Sequence, residues 1–298
     1  MPKIMTPQRI AALLPPRPEK GHKGSFGHVA VVAGSVGFTG AVRLACMAAY
    51  RSGAGLVTAA VPHRVLPFLA AAMVEPMLFG LKDTKEGSLS YACRGELAGF
   101  LENKSSVVLG PGLSTHYETT RLVRHVYHHC GLPLVVDADG LNALAEFPGR
   151  LVPTETKQPS YNKILTPHPG EMSRLSGLDT AAIQKERLQT AAYFAALWQV
   201  VLVLKGHETV VAAPDGQVQL CPTGNQGMAT GGSGDVLSGI CGALLGQGLS
   251  AYDAACVGVY AHGLAGDLAA QEKNARSLIA SDIIEMLPQA WTALESVE

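Results

Sequence analysis

The chain has 298 residues, and its 23 lysines and arginines nearly balance 24 aspartates and glutamates, which leaves a formal net charge of −1. Glycine (33 residues) and proline (18 residues) together make up a smaller share of the chain than the roughly 25–30% that marks low-complexity chains. Disorder, collagen and a coiled coil are therefore excluded. The neutral balance argues against broad nucleic-acid binding, which needs clustered basic residues.

Nothing in the sequence indicates export or membrane insertion. The first residues lack the charged-then-apolar layout of a signal peptide, and no apolar run reaches the ~18–20 residues that a membrane helix needs. The six cysteines are scattered without a C-x-x-C pair, which is typical of reduced thiols. We therefore expect a soluble, cytoplasmic protein that does not bind membranes.

Apolar, β-branched runs alternate with helical patterns along most of the chain. A short helix is predicted over residues 7–14, with Thr6 as its N-cap and Pro7 at its first position. Strands are predicted over residues 28–33, 55–61, 106–109, 134–137, 163–166 and 200–205. The main helices between them are predicted over residues 41–52, 115–129 and 180–199, the last capped by Asp179. This alternation indicates an α/β fold, a central, mostly parallel sheet with helices on both faces in three layers.

The pattern changes after residue 205. Residues 208–213 and 217–221 predict an antiparallel hairpin around Asp215-Gly216, and a glycine-rich loop and three helical stretches follow. Residues 153–159 predict a surface excursion, and no repeat or linker divides the chain. We therefore expect one domain over residues 1–298.

Glycines concentrate where predicted strands end. The segment 34–41 follows one strand, and Gly110-Pro111-Gly112 follows another. Open α/β sheets bind ligands at this edge, and backbone N–H groups at a helix N-terminus suit an anion. The G-x-x-G-x-x-G spacing of segment 34–41 differs from dinucleotide and Walker A loops. Both segments could also be plain tight turns.

Charged side chains follow the later strands. Asp137 and Asp139 lie where a ligand or metal would bind, although Asp139 could merely cap the next helix. His168 lies between two prolines that fix its backbone and aim its side chain, which makes it a site candidate. Glu171 follows at the start of a helix, where the helix dipole alone would explain an acidic residue. Lys205 ends an apolar strand, where an ammonium needs an anion unless it reaches solvent.

The strongest signal precedes an apolar helix. Successive N–H groups there can form an anion cradle over Gly231, Gly232, Ser233 and Gly234. Asp235, in the first turn, is placed to take a proton from a hydroxyl that attacks phosphorus. The structural alternative is a capped helix start after a flexible loop. Two residues of the C-terminal helices, His262 and Asp267, have no assignable partner.

Taken in order, these segments resemble the nucleotide-dependent NAD(P)H-hydrate dehydratases of the ribokinase-like superfamily. The match runs from about residue 24 to residue 281. In this family an NAD(P)H-hydrate epimerase domain is often fused on the N-terminal side. Few residues precede the match here, so we expect a stand-alone dehydratase coupled functionally to an epimerase.

The resemblance implies a repair reaction. The (6S)-hydrate of NADH or NADPH is phosphorylated on its ring hydroxyl by ADP or ATP with Mg²⁺, and loss of phosphate regenerates the reduced cofactor. The resemblance also implies a homo-oligomer, since relatives are commonly tetramers. By position it assigns Ala41, Gly112, His168 and Asp235 to the hydrate, Lys205, Gly206, His207, Glu208, Thr209 and Gly234 to the adenine nucleotide, and Glu171 to magnesium.

Two alternatives stay open at this point. One is a ribokinase-like kinase for a vitamin-precursor alcohol such as hydroxyethylthiazole, which would share the glycine-rich loop and Asp235. The other is a nucleotide-sensing protein without turnover, and an intact Asp235 argues against it because a sensor needs no base.

Overall fold

The computed structural model describes residues 3–146, 151 and 162–297. Its strands are β1 (Lys3–Ile4), β2 (His28–Val32), β3 (Leu56–Pro62), β4 (Met77–Leu81), β5 (Ser106–Leu109), β6 (Leu134–Val136), β7 (Lys163–Leu165), β8 (Val201–Leu204), β9 (Val210–Ala212) and β10 (Val218–Leu220). Its α-helices are α1 (Pro7–Ala11), α2 (Thr39–Arg51), α3 (Leu66–Ala72), α4 (Arg94–Leu101), α5 (Tyr117–His129), α6 (Asp139–Ala145), α7 (Pro169–Ser176), α8 (Thr180–Lys185), α9 (Arg187–Trp198), α10 (Ser233–Gly246), α11 (Ala251–Lys273) and α12 (Ala280–Glu295).

The strands form one sheet in the order β1-β10-β9-β8-β7-β6-β5-β2-β3-β4. From β4 through β2 and β5 to β8, each strand is parallel to its neighbour. Only β9 breaks this pattern within the described residues, because it is antiparallel to both β8 and β10. The chain adds strands on one side of β2 and then, from β5 onward, on the other. Ligands of open α/β sheets bind at such a switch point, beside the carboxyl ends of the strands.

Apolar side chains cover both faces of the sheet. In β2, Val29 and Val31 belong to a core packed by α2, α10, α11 and α12. Ala30 and Val32 belong to a second core, packed by α4 to α9. All four side chains are fully buried, which explains why the strand is apolar at consecutive positions. The predicted three-layer, mostly parallel α/β architecture is confirmed.

Local predictions were confirmed where turn and cap chemistry is strong. The Thr6 hydroxyl accepts a hydrogen bond from the Arg9 N–H at 3.3 Å, and Pro7 begins α1, although the helix ends at Ala11. The hairpin is present as β9 and β10. Among the helices of the described ranges, none has the length and apolar character that crossing a bilayer requires.

Three features differ from prediction. The helix predicted over residues 180–199 is divided into α8 and α9 at Glu186, whose φ of −127° and ψ of 44° are not helical. Asp179 occupies the N-cap position of α8 but its side chain makes no cap hydrogen bond. The edge strands β1 and β4 were not predicted: β1 has two residues, and β4 lies at the sheet edge with four of its five residues not fully buried. The predicted excursion over residues 153–159 lies outside the described residues.

Candidate functional site

Two glycine-containing loops meet at the switch point between β2 and β5. The Gly34 N–H donates to the Pro111 carbonyl at 2.8 Å, and the Ser35 hydroxyl donates to the Gly112 carbonyl at the same distance. A Cβ built on Gly112 would lie 3.2 Å from the Cβ of Ala41. The structure therefore brings together Ala41 and Gly112, which the family resemblance assigned to one ligand.

Lys205 and Asp137 form a buried ion pair at the same edge. The Lys205 ammonium donates to Asp137 Oδ1 at 2.8 Å and lies 3.7 Å from Glu171 Oε2. Asp137 is 1% exposed and the Lys205 side chain 20% exposed, so the ammonium meets the anion that its position calls for while part of the side chain still reaches solvent. Burial opposes the charge of Lys205, but the two carboxylates outweigh it and raise the pKa.

Asp139 connects two neighbouring elements at this edge. Its carboxylate accepts from the Ser114 N–H at 2.8 Å and from the Asn142 side-chain amide at 3.2 Å. The Asn142 side-chain oxygen in turn accepts from the Arg174 guanidinium of α7 at 3.0 Å. Asp139 therefore ties the loop after β5 to α6 and α7, and Ala138 rather than Asp139 is the N-cap residue of α6.

His168 is the N-cap of α7. Its Nδ1 accepts hydrogen bonds from the N–H groups of Gly170 and Glu171 at 3.0 and 3.3 Å. Burial, helped by the charges of Lys205 and Arg174, lowers the pKa of His168, so the ring is neutral at physiological pH. Since Nδ1 accepts, the neutral ring carries its proton on Nε2. The side chain is 50% exposed, which leaves this ring available to a ligand.

Glu171 completes the capping box of α7. Its Oε2 accepts from the His168 N–H at 2.8 Å, and its Oε1 lies 3.5 Å from His168 Nε2. Burial raises the pKa of Glu171 to about 7, with Lys205 opposing and Asp137 reinforcing the shift. In the part of the chain that the structure describes, no three His, Cys, Asp or Glu side chains form a ready-made metal cage.

The glycine-rich segment forms the start of α10. Gly232 is its N-cap with φ of +90°, and a Cβ there would lie 2.4 Å from Leu44 Cδ1, so only glycine fits. The Val236 N–H donates the first hydrogen bond within the helix, to the Gly232 carbonyl at 3.1 Å. The N–H groups of Gly234 and Asp235 come before Val236 in the chain and so have no helical carbonyl to bond to. Such groups at a helix N-terminus are available to an anion. Of the predicted cradle over residues 231–234, the Ser233 N–H is not available, because it donates to the Thr230 carbonyl at 3.4 Å.

This N-terminus adjoins the ion pair. A Cβ on Gly234 would lie 3.2 Å from Lys205 Nζ and 3.3 Å from Asp137 Oδ2. Burial raises the pKa of Asp235 to about 7, reinforced by Asp137 and opposed by Lys205. A carboxyl group with a pKa near 7 can accept a proton at physiological pH. The arrangement thus combines a base, an ammonium and an anion-binding helix end.

The loop 205–209 leaves β8 at this same edge. Gly206, His207 and Glu208 are exposed, and Thr209 Oγ1 donates to the Gly206 carbonyl at 3.0 Å. Gly206 and Glu208 have φ of +146° and +53°. The structure therefore places the predicted nucleotide loop beside the start of α10, with Lys205 as their shared side chain.

The partners of two residues, His262 and Asp267, were missed in the sequence because both residues lie on a helix distant in the chain from the segment they contact. His262 is buried on α11, and its Nε2 lies 3.3 Å from the hydroxyl of Ser233. Burial lowers the pKa of His262 to about 4, so it is neutral. Asp267 accepts from the Gly224 N–H and the Asn225 amide, both at 2.9 Å. The positions of His262 and Asp267 along α11 do not indicate, in the sequence, that they contact the glycine-rich segment.

Comparisons with known proteins identify relatives along the whole chain. Residues 29–289 match the family described as NAD(P)H-hydrate dehydratase. The bifunctional NAD(P)H-hydrate repair enzyme of Moorella thermoacetica is 46% identical over 98% of this chain, and the chain spans about half (54%) of that relative's length.

Solved structures agree with this match. The ADP/ATP-dependent NAD(P)H-hydrate dehydratase of Bacillus subtilis, co-crystallised with ATP and Mg²⁺, has a TM-score of 0.85 at 33% identity and covers 99% of both chains. A ribokinase-like superfamily protein of Enterococcus faecalis has a TM-score of 0.82 at 25% identity, over 98% of this chain and 96% of that one. The predicted ribokinase-like fold is confirmed.

Proposed function

The chain belongs to the NAD(P)H-hydrate dehydratase family, and from that premise we propose that it dehydrates the (6S)-hydrate of NADH or NADPH at the expense of ADP or ATP. One observation carries the proposal: Asp235, with a pKa raised to about 7, lies in the first turn of α10 beside Lys205. A base next to an anion-binding helix end suits transfer of a phosphoryl group to a hydroxyl.

In the first step, Asp235 accepts the proton of the ring hydroxyl as its oxygen bonds to the terminal phosphorus. The bond from that phosphorus to the nucleotide breaks, and AMP or ADP leaves. The N–H groups of Gly234 and Asp235 at the start of α10 would donate backbone hydrogen bonds to the transferring group, whereas that of Ser233 already donates to the Thr230 carbonyl at 3.4 Å. Such preorganised donors stabilise a transition state by about 3–4 kcal/mol each in other enzymes.

In the second step, phosphate leaves the ring carbon. The lone pair of the ring nitrogen expels it, and loss of a proton from the neighbouring carbon restores the double bond of the reduced cofactor. Water is a poor leaving group, whereas phosphate leaves readily once its charge is spread, and this difference explains why a dehydration would consume a nucleotide.

The hydrate would lie against the switch-point loops. Ala41 would contact its ring, and Gly112 lets the two loops pack closely, because a Cβ there would lie 2.8 Å from the Cβ of Phe38 and 3.2 Å from that of Ala41. The Nε2–H of neutral His168 would donate to a polar group of the hydrate, since Nδ1 is already used in capping α7. Lys205, Gly206, His207, Glu208, Thr209 and Gly234 would bind the adenine nucleotide.

Magnesium fits the charge balance of this edge. Four carboxylates (Asp137, Asp139, Glu171 and Asp235) influence one another here, against the ammonium of Lys205 and the guanidinium of Arg174. A nucleotide would add further negative charge, and carboxylate and phosphate oxygens are the ligands that Mg²⁺ prefers. We assign Glu171 to the magnesium that enters with the nucleotide. When bound, the ion neutralises charge on the phosphates.

Two further proposals concern partners. Because a relative that is bifunctional is twice as long as this chain, we propose that an epimerase acts together with this dehydratase. We also propose a tetramer in the cytoplasm. Light scattering of the purified protein measures its molar mass in solution. A mass equal to that of one chain would exclude the tetramer.

The proposed function is tested by recovery of the reduced nicotinamide ring. Purified protein is incubated with hydrated NADH, Mg²⁺ and either ADP or ATP, and the absorbance of NADH is followed. We expect recovery that requires a nucleotide and stops when Mg²⁺ is chelated. Absence of recovery with both nucleotides would exclude the dehydratase.

A further inference from the structure

Arg187 joins three elements beside the proposed nucleotide loop. It is the first residue of α9, and its guanidinium donates from Nη2 to the Leu204 carbonyl at 3.0 Å. Nη1 donates to the Lys205 carbonyl at 3.4 Å and to Gln184 Oε1 of α8 at 3.0 Å. One side chain therefore holds the carboxyl end of β8, where the loop 205–209 begins.

The same guanidinium lies flat against Gly206. A Cβ built on Gly206 would lie 2.8 Å from Nη1, 3.1 Å from Nη2 and 3.2 Å from Cζ of Arg187. Gly206 also has φ of +146°, which disfavours any other residue. The space that a side chain would need is thus filled by Arg187. Glu208, in the same loop, supplies a negative charge that counters the effect of burial on the Arg187 pKa.

Helix stability does not explain this position. A cation in the first turn of a helix opposes the helix dipole, and the first turn of α9 contains no acid to offset it. The break between α8 and α9 at Glu186 allows Arg187 to begin a new helix at β8. In return, the guanidinium satisfies two carbonyl groups at a strand end, which a fork of N–H donors does well.

We propose that Arg187 is a positioning residue for the adenine nucleotide, which it serves by fixing the backbone of Lys205 and Gly206. This inference rests on the proposed function, which gives the loop 205–209 to the nucleotide. Arg187 need not touch the nucleotide, because its effect passes through the two peptide groups that it holds.

The test separates nucleotide affinity from chemistry. Mg-ADP and Mg-ATP binding is measured by calorimetry for the wild type, Arg187→Ala and Arg187→Lys, together with kcat and both KM values. We expect Arg187→Ala to bind the nucleotide about tenfold more weakly, because the variant loses the two hydrogen bonds that hold the loop. The expected KM for the hydrate is unchanged, and Arg187→Lys falls between because an ammonium cannot form the fork.

Arg121→Ala is the matched control. Arg121 is an exposed arginine of α5 that lies over the ring of Tyr91, so its removal changes net charge equally and leaves the loop untouched. We expect nucleotide affinity to stay at the wild-type value in this variant.

A double-mutant comparison tests the contact with Gly206. Gly206→Ala is made in the wild type and in Arg187→Ala. The strain of φ +146° is common to both backgrounds, but the clash with the guanidinium exists only in the wild type. The substitution should therefore weaken nucleotide binding by a smaller factor in the Arg187→Ala background.

Unchanged nucleotide affinity in both Arg187 variants would overturn the inference while leaving the proposed function intact. Equal losses in kcat and in both affinities would also overturn it, since they indicate a general structural role. Failure of the wild type to bind either nucleotide would contradict the proposed function and the inference together. Should Arg187→Ala not fold, nucleotide affinity, kcat and the KM for the hydrate are compared instead among the wild type, Arg187→Lys and Gly206→Ala.

Discussion

Asp235 illustrates how one environment suits the proposed catalysis and opposes stability. Burial and the neighbouring charge of Asp137 raise its pKa from 3.8 to about 7, against the attraction of Lys205. The native state therefore favours the protonated acid, whereas the proposed proton transfer requires the carboxylate. Groups under such opposing demands are concentrated at functional sites.

We predict that Asp235→Asn has opposite effects on activity and stability. The variant should lose kcat by roughly 10²–10⁴-fold, since the proton acceptor is removed, and should keep its affinity for Mg-ADP. Above pH 7 it should also unfold with a free energy larger than that of the wild type by roughly 2–4 kcal/mol. Urea unfolding monitored at several pH values measures the second effect.

The sign of this stability difference follows from the pKa shift. Asp235 binds its proton more tightly in the folded chain, so its contribution is fully present below pH 4 and is lost as the pH rises to about 7. The difference between variant and wild type should therefore shrink towards zero as the pH falls to about 4. Asp179→Asn, at an exposed position without a side-chain cap bond, is the control. Normal turnover by Asp235→Asn would contradict the assignment of the base.

At the scale of elements, the strand ends depend on glycine for close approach. A Cβ on Gly110 would lie 1.9 Å from the Asp137 carbonyl oxygen and 2.8 Å from the Gly140 nitrogen, at φ of +131°. Gly110 thus allows the end of β5 to pack against the segment that holds Asp137. The site needs this packing because Asp137 forms the ion pair with Lys205.

We predict that Gly110→Ala destabilises the fold by about 3 kcal/mol or more, because both neighbours are backbone and cannot move aside. Thermal or urea unfolding measures the change. Gly99→Ala is the matched control, since a Cβ there meets nothing within 4 Å in the last turn of α4. It should stabilise by up to about 1 kcal/mol, as alanine favours a helix. Equal effects of the two substitutions would contradict this account of Gly110.

The sequence predicted elements well where burial dictates composition. Strands such as β5 and β8, apolar on both faces, were located within a residue or two. The edge strand β4 was missed because it lies at the edge of the sheet with four of its five residues not fully buried, so burial does not dictate its composition as it does in the central strands. The break at Glu186 was missed because glutamate favours helices and no glycine or proline marks it.

Site prediction divides in the same way. Glycine-rich loops and Asp235 were located because their chemistry is local to a strand end or helix start. The pairing of Lys205 with Asp137 joins residues 68 positions apart and follows only from the order of β6, β7 and β8. The contact of His262 with Ser233 likewise depends on how α11 packs against α10.

For the whole molecule, the net charge of −1 is compatible with polyphosphate binding. The switch point between β2 and β5 gathers strand ends, and the start of α10 adds backbone donors that do not appear in a count of charged residues. Lys205 is the ammonium at this edge, and Asp137 already balances it. In the proposed function, recognition of anions would therefore depend on oriented peptide groups and on the cation that accompanies the nucleotide.

The central claim is that nucleotide cleavage and dehydration are one reaction, and its stoichiometry tests this most directly. Hydrated NADH, ADP and Mg²⁺ are incubated with the protein, and phosphorus NMR is recorded beside the absorbance of NADH. We predict one AMP and one orthophosphate for each NADH regenerated. Recovery of NADH without cleavage of ADP, or accumulation of a stable phosphorylated product as an alcohol kinase would give, would contradict the account.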